Sequence, residues 1–157
     1  MTAALMVDAV AWVVNVGDSR TLVIDSEKSM QLTRDATPEL SKDRVEQEGG
    51  CVVDGRVPRK GEKRGGLATA SSIGEEGYAG ITERAEVSKY ILTGGETLVL
   101  HCDGVSDSLS TKEVGAVLNN PNFETPEKKS AALVKTAFAG GSLDNISALV
   151  IRSALAT

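Results

Sequence analysis

Residues 97–107, TLVLHCDGVSD, bring a strand, an acidic turn and a helix approach into one short stretch. Leu98, Val99 and Leu100 form an apolar run that reads as a buried strand, and it delivers Asp103 just past its end. Gly104 follows at once, the residue type for a sharp turn or a close backbone approach. A second carboxylate, Asp107, lies four positions on. Ser110-Thr111-Lys112-Glu113 then has the pattern of a capping box opening a helix. Strand, acidic turn and helix together hold a carboxylate rigidly at the rim of a cleft. Alone, an Asp-Gly pair after a strand is more often a plain turn than a ligand.

Two further acidic turns keep it company. Gly141-Ser142-Leu143-Asp144-Asn145 places Asp144 just before a strand-like run, Ile146 to Ile151. Asn15-Val16-Gly17-Asp18-Ser19-Arg20 sits between two more such runs. In one reading the three turns converge on an oxygen-rich site; in the other the acids are turn residues and nothing more.

The rest of the chain narrows the class. At 157 residues it is expected to form one domain, 1–157, with a substantial core. Aromatic residues are only 3%, so that core must rest on Val, Leu, Ile and Ala. A formal net charge of −5 argues against a non-specific nucleic-acid binder, which needs a basic face. No apolar run approaches a membrane span, and the start lacks the basic-then-apolar order of a signal peptide. Cys51 and Cys102 show neither metal-type spacing nor a disulfide framework. The default expectation is an intracellular, soluble protein.

Along the chain, 3–7 and 10–16 read as strands joined around Asp8, with Trp12 and Val14 on one face and Val13 on the other. Arg20 to Ile24 continues the pattern past Gly17, so 10–25 is expected to be a β-hairpin with Asp18 at its tip. Thr37-Pro38-Glu39 starts a polar surface helix running to Glu48, with Leu40 and Val45 as its apolar contacts. Cys51-Val52-Val53 reads as a short strand. Residues 54–66 form a basic loop with Arg56, Arg59, Lys60, Lys63 and Arg64, either a solvated loop or a flap attracting a phosphorylated partner. A helix from Ser110 to about Leu118 buries Val114, Val117 and Leu118. Another begins at Thr125-Pro126-Glu127, carries Ala131, Leu133, Val134, Ala137 and Phe138 as an apolar stripe, and ends before Gly140. A last strand spans 145–152. Gly17-Asp18-Ser19 also has the letters of an esterase motif, but the lone His101 lies inside a strand run and offers no base to Ser19.

NVGDSR (15–20), EGGCV (48–52), LATASSIGEE (67–76), HCDGVSD (101–107) and GSLDNIS (141–147) occur in the order and spacing of the PP2C-like, metal-dependent Ser/Thr protein phosphatases. The resemblance spans nearly the whole chain. It implies an α+β fold, a sandwich of antiparallel sheets flanked by helices, begun here partway through the domain so that its first part is missing. It implies Mg²⁺ or Mn²⁺ as cofactor, hard ions that prefer carboxylate and water oxygen. Residue by residue it makes Asp103 and Asp144 direct ligands, and Asp18 and Asp107 candidates for an auxiliary position. Asn145 beside Asp144 and Gly104 beside Asp103 support the ligands. The bridging Asp-Gly pair, the phosphate-gripping Arg and the general-acid His of the family have no counterpart. Ser71 stands at the family's Arg position, Glu75 at an Asp, Ser106 at an aromatic and Ala36 at a His.

Three readings follow: a phosphatase acting on phosphoproteins, weak or inactive as this chain; a non-catalytic pseudophosphatase that completes its sheets by self-association or with a protein partner; and a remnant binding no ion.

Overall fold

A computed structural model describes residues 1–152; residues 153–157 of the expected domain lie outside the described residues. The strands are β1 (Thr2–Val7), β2 (Val10–Asn15), β3 (Arg20–Ile24), β4 (Ser29–Gln31), β5 (Glu86–Ile91), β6 (Thr97–His101) and β7 (Ala148–Arg152). The helices are α1 (Lys42–Gln47), α2 (Asp103–Ser106), α3 (Thr111–Leu118) and α4 (Pro126–Ala139). The fold is α+β, and its strands form two antiparallel sheets, one ordered β1-β2-β5 and one β4-β3-β6-β7.

Burial explains the layering. All five residues of β6 and four of five in β3 are buried, so these strands are covered on both faces. On one side Val23, Leu98 and Leu100 meet Ala11 of β2 and Leu92, the core between the sheets. On the other, Leu22, Ile24 and Val99 pack against Val105, Val114, Leu118, Leu133 and Ala137 of the helices. A third small cluster, Val45, Val57 and Ala70, anchors α1 and the long segment between β4 and β5.

The same burial overturns the expected hairpin over 10–25. Strand β2 alternates between inner and outer faces, whereas β3 is buried at every position after Arg20, so the two belong to different layers. The 15–19 turn therefore crosses from one sheet to the other. Gly17, at φ +102°, provides the reversal, and the Asn15 side-chain amide donates to the Gly17 carbonyl at 3.1 Å.

Other expectations shift in detail. Thr37 Oγ1 does accept from the Leu40 N–H, but residues 38–41 are turns and the helix proper starts at Lys42. Leu40 is exposed, leaving Val45 as the buried contact. The strand expected at 51–53 shrinks to a single bridge, Val53 to Arg56, because Asp54 and Gly55 both take positive φ and turn the chain at once. In α4, Ala132, Leu133 and Ala137 face the core, while Ala131 and Phe138 are exposed. The capping box at Ser110 and the Thr125 cap are present as expected. Strands β4 and β5 had no sequence expectation: one is three residues long, and the other, EVSKYI, mixes charge into both faces.

Candidate metal centre

Strand β6 ends at His101, and Cys102 stays extended before Asp103 opens α2. The Gly104 N–H donates to Asp103 Oδ1 at 3.0 Å, fixing the carboxylate over the first turn. Cys102 joins this turn to the loop before β7. Its N–H donates to the Ser147 carbonyl at 3.2 Å, its thiol donates to the Asn145 carbonyl at 3.0 Å, and its sulfur accepts from the Ser147 N–H at 3.2 Å. Asp144 sits next in that loop, with Oδ1 accepting the Asn145 N–H at 2.6 Å. Gly104 lies so close to Asn145 that a Cβ there would stand 2.4 Å from the Asn145 carbonyl oxygen. The Asp103 and Asp144 turns are thus one assembly.

Asp18 and Asp107 belong to the same neighbourhood. Burial raises the Asp18 carboxyl above its ordinary value, and the Asp103 charge raises it further. Burial also raises Asp107, followed by the charges of Asp103 and then Asp144. Asp103 thus repels both Asp18 and Asp107, and Asp144 repels Asp107, at the chain reversals after β2 and β6 and before β7. Among the described residues, no group of three or more His, Cys, Asp or Glu side chains is gathered closely enough to hold a metal ion. The donor set itself fits a hard divalent cation, being all carboxylate oxygen under mutual repulsion that such an ion would relieve.

Two nearby groups are otherwise engaged. Arg20 of β3 makes a bidentate ion pair with Asp35, whose Oδ1 also accepts from Gln31 Nε2 at 2.7 Å. Asp35 is thereby withdrawn from ligand duty. The His101 ring, buried, has Nδ1 2.9 Å from the Cys102 carbonyl oxygen, and burial lowers its pKa, so the ring is held neutral. Sequence reasoning missed the Arg20–Asp35 pair. Fifteen positions separate its members, and neither position carries a local motif that announces the other.

Two antiparallel sheets, helices on the outer face of one of them and acidic loops at the strand ends define an α+β domain class. Within it the family is settled: the model of the protein phosphatase 2C family matches residues 1–146, and the chain belongs to that family. Similar proteins include protein phosphatase 2C homolog 1 of Saccharomyces cerevisiae, 29% identical over 141 residues, covering 87% of this chain and 47% of that protein. Another is probable protein phosphatase 2C 41 of Oryza sativa subsp. japonica, 30% identical over 156 residues, with 97% and 53% covered. The human integrin-linked kinase-associated serine/threonine phosphatase 2C is 29% identical, with 96% and 43% covered. The chain spans about half the length of the curated relatives it matches. Among solved structures, a sex-determining protein of C. elegans superposes with a TM-score of 0.77 at 24% identity, over 95% of this chain and 38% of that one. A serine/threonine phosphatase of S. agalactiae gives 0.70 at 24%, over 97% and 58%. At these identities the structures speak for the fold.

Proposed function

We propose that this chain carries part of the active centre of a divalent-cation-dependent phosphatase acting on phosphoserine and phosphothreonine proteins. The observation that supports this most is the joining of the Asp103 and Asp144 turns through the Cys102 hydrogen bonds, with the Asp103 charge raising both Asp18 and Asp107 beside them. In this reading Asp103 and Asp144 are direct ligands of Mg²⁺ or Mn²⁺, and Asp18 and Asp107 serve an auxiliary position. When bound, such an ion supplies water activation and neutralises phosphoryl charge. The chain's own residues hold the carboxylates in place: Gly104 fixes Asp103, Asn145 fixes Asp144, and Cys102 ties the two loops together. These residues alone bind the ion weakly and turn over phosphoester slowly. The acids are not closed into a three-ligand cluster, and the only histidine is buried with its Nδ1 at a backbone carbonyl.

Thermal unfolding with and without millimolar Mn²⁺ tests this, because an ion that binds only the folded state raises the midpoint. The expected result is a clear rise in the wild type that Asp103→Asn abolishes. An unchanged midpoint in the wild type, or a rise that survives Asp103→Asn, overturns the metal assignment. Rapid turnover of a phosphopeptide by the purified chain overturns the expectation of weak activity.

A second reading, a non-catalytic assembly module, is favoured by one surface. The outer face of the β1-β2-β5 sheet presents Leu5, Val7, Trp12, Val87 and Ile91, each at least 41% exposed. In register, Leu5, Trp12 and Lys89 form one row and Val7, Val10 and Ile91 the next. Uncovered apolar sheet faces recruit other chains. A stable dimer or larger species with no Mn²⁺ response supports this module over the phosphatase.

A further inference from the structure

Strands β3, β6 and β7 run between two ends of the molecule. At one end stand the acidic turns: Asp18 precedes β3, Asp103 follows β6 and Asp144 precedes β7. At the other end Thr97 pairs with Ile24 on one side and with Arg152 on the other. At about 3.3 Å per residue, roughly 13 Å of β6 separates Thr97 from His101. A cavity of about 410 Å³ opens at this second end, and its lining includes Ile24, Asp25, Thr97, Glu124, Lys129 and Arg152.

Strand alternation places the polar groups. Thr97 shares a face with Val99, two residues on, and Val99 packs against the helices. Arg152, paired directly with Thr97, stands on that face too. The Ser130 hydroxyl donates to the Ala148 carbonyl at 2.7 Å and holds α4 against β7, which brings the neighbouring Lys129 to the same space. Two cations thus share one cavity. Lys129 is half-buried; burial lowers its pKa, and the Arg152 charge lowers it further. Neither makes an ion pair among the described residues. The two acids of the lining have other cations beside them. Asp25 pairs with Lys28 at 3.9 Å and accepts the Glu27 and Lys28 N–H groups, and Glu124 pairs with Lys128 at 3.7 Å. The charges of Lys129 and Arg152 are therefore in excess. Thr97, only 8% exposed, lines the cavity with a hydroxyl that makes no hydrogen bond among the described residues. Ile24, Leu118 and Phe123 add an apolar part to the lining.

We propose that this cavity binds a small free organic dianion, a phosphate monoester or a dicarboxylate on a short carbon skeleton, at a site remote from the acidic cluster. The anionic oxygens answer Lys129 and Arg152, the Thr97 hydroxyl donates to one of them, and the carbon skeleton meets Ile24, Leu118 and Phe123. Binding here needs no metal ion at Asp103 and Asp144.

Titration calorimetry of the metal-free chain in Tris chloride tests this with glycerol 3-phosphate, succinate, inorganic phosphate and glycerol. The expected result is that one of the two organic dianions binds at least about tenfold tighter than inorganic phosphate, while glycerol does not bind. Which of the two is tighter identifies the anionic group. Lys129→Gln and Arg152→Gln should each weaken binding by about tenfold. Without ligand, Lys129→Gln relieves a repulsion, so its unfolding midpoint should equal or exceed that of the wild type, which separates lost binding from lost fold. Thr97→Val keeps the shape of the side chain and should weaken binding as well. Asp103→Asn should leave the affinity unaltered, so this site and the metal centre can fail separately. The absence of binding, an affinity no better than that for inorganic phosphate, or binding indifferent to Lys129→Gln and Arg152→Gln overturns the proposal.

Discussion

Glu96 shows how much a single side chain decides in this molecule. It lies buried in the turn between β5 and β6, where its carboxylate accepts from the Thr93 N–H, the Thr93 hydroxyl and the Gly94 N–H at 2.7–2.9 Å. Burial by itself pushes its pKa up, but these bonds favour the charged form and together bring it below the ordinary 4.5. With the folded value depressed, the stabilisation is present above the unfolded value and lost as pH falls through the folded one. Glu96→Gln should therefore cost roughly 1–3 kcal/mol near neutral pH. The gap to wild type in urea denaturation should narrow in acid; an equal gap at both pH values would place the effect in packing. At this scale the sequence is only partly legible. Asp103, Asp18, Asp107 and Asp144 are visible because each sits in a turn beside an apolar run. Thr97, Lys129 and Arg152 give no such signal, since only strand pairing and helix packing bring them to one cavity.

Helices α3 and α4 were legible as elements because their starts are written locally. Ser110 and Thr125 accept backbone N–H bonds three residues on, and Pro126 follows its cap. Strand β6 was equally plain from its apolar run. What local chemistry could not supply was pairing: β2 and β3 are adjacent in sequence and lie in different sheets, a result set by which faces are covered. Nor did it fix the inner face of α4. Its stripe was expected to include Phe138, yet Phe138 is 72% exposed and Leu133 is fully buried. The two positions should therefore respond oppositely. Leu133→Ala should destabilise by about 2–5 kcal/mol through an unfilled cavity. Phe138→Ser should stay within about 0.5 kcal/mol. Chemical denaturation of both variants checks the assignment, and comparable losses would show that α4 is turned differently.

Over the whole molecule the two sheets are treated unequally: one is covered on both faces, the other on one. On the open face the Lys89 ammonium lies 5.1 Å from the Trp12 ring centroid, a single cation over an otherwise apolar surface. Leu5→Ser combined with Ile91→Ser should leave the unfolding midpoint nearly unchanged and shift any concentration-dependent association toward monomer, read by light scattering. Unaltered association would exclude this face as the contact. The Asp103 and Asp144 turns meet at a different kind of boundary, the contact of Gly104 with Asn145. Ordinary Cβ contacts begin near 3.4 Å, and here the clearance would be 2.4 Å. Gly104→Ala must therefore drive the loops apart, and the part of the Asp107 rise that Asp144 causes, the smallest after burial and Asp103, should shrink as Asp144 recedes, a change that NMR titration would follow. The distance between the two loops, and with it how strongly their charges feel each other, is gauged by the absence of one carbon atom.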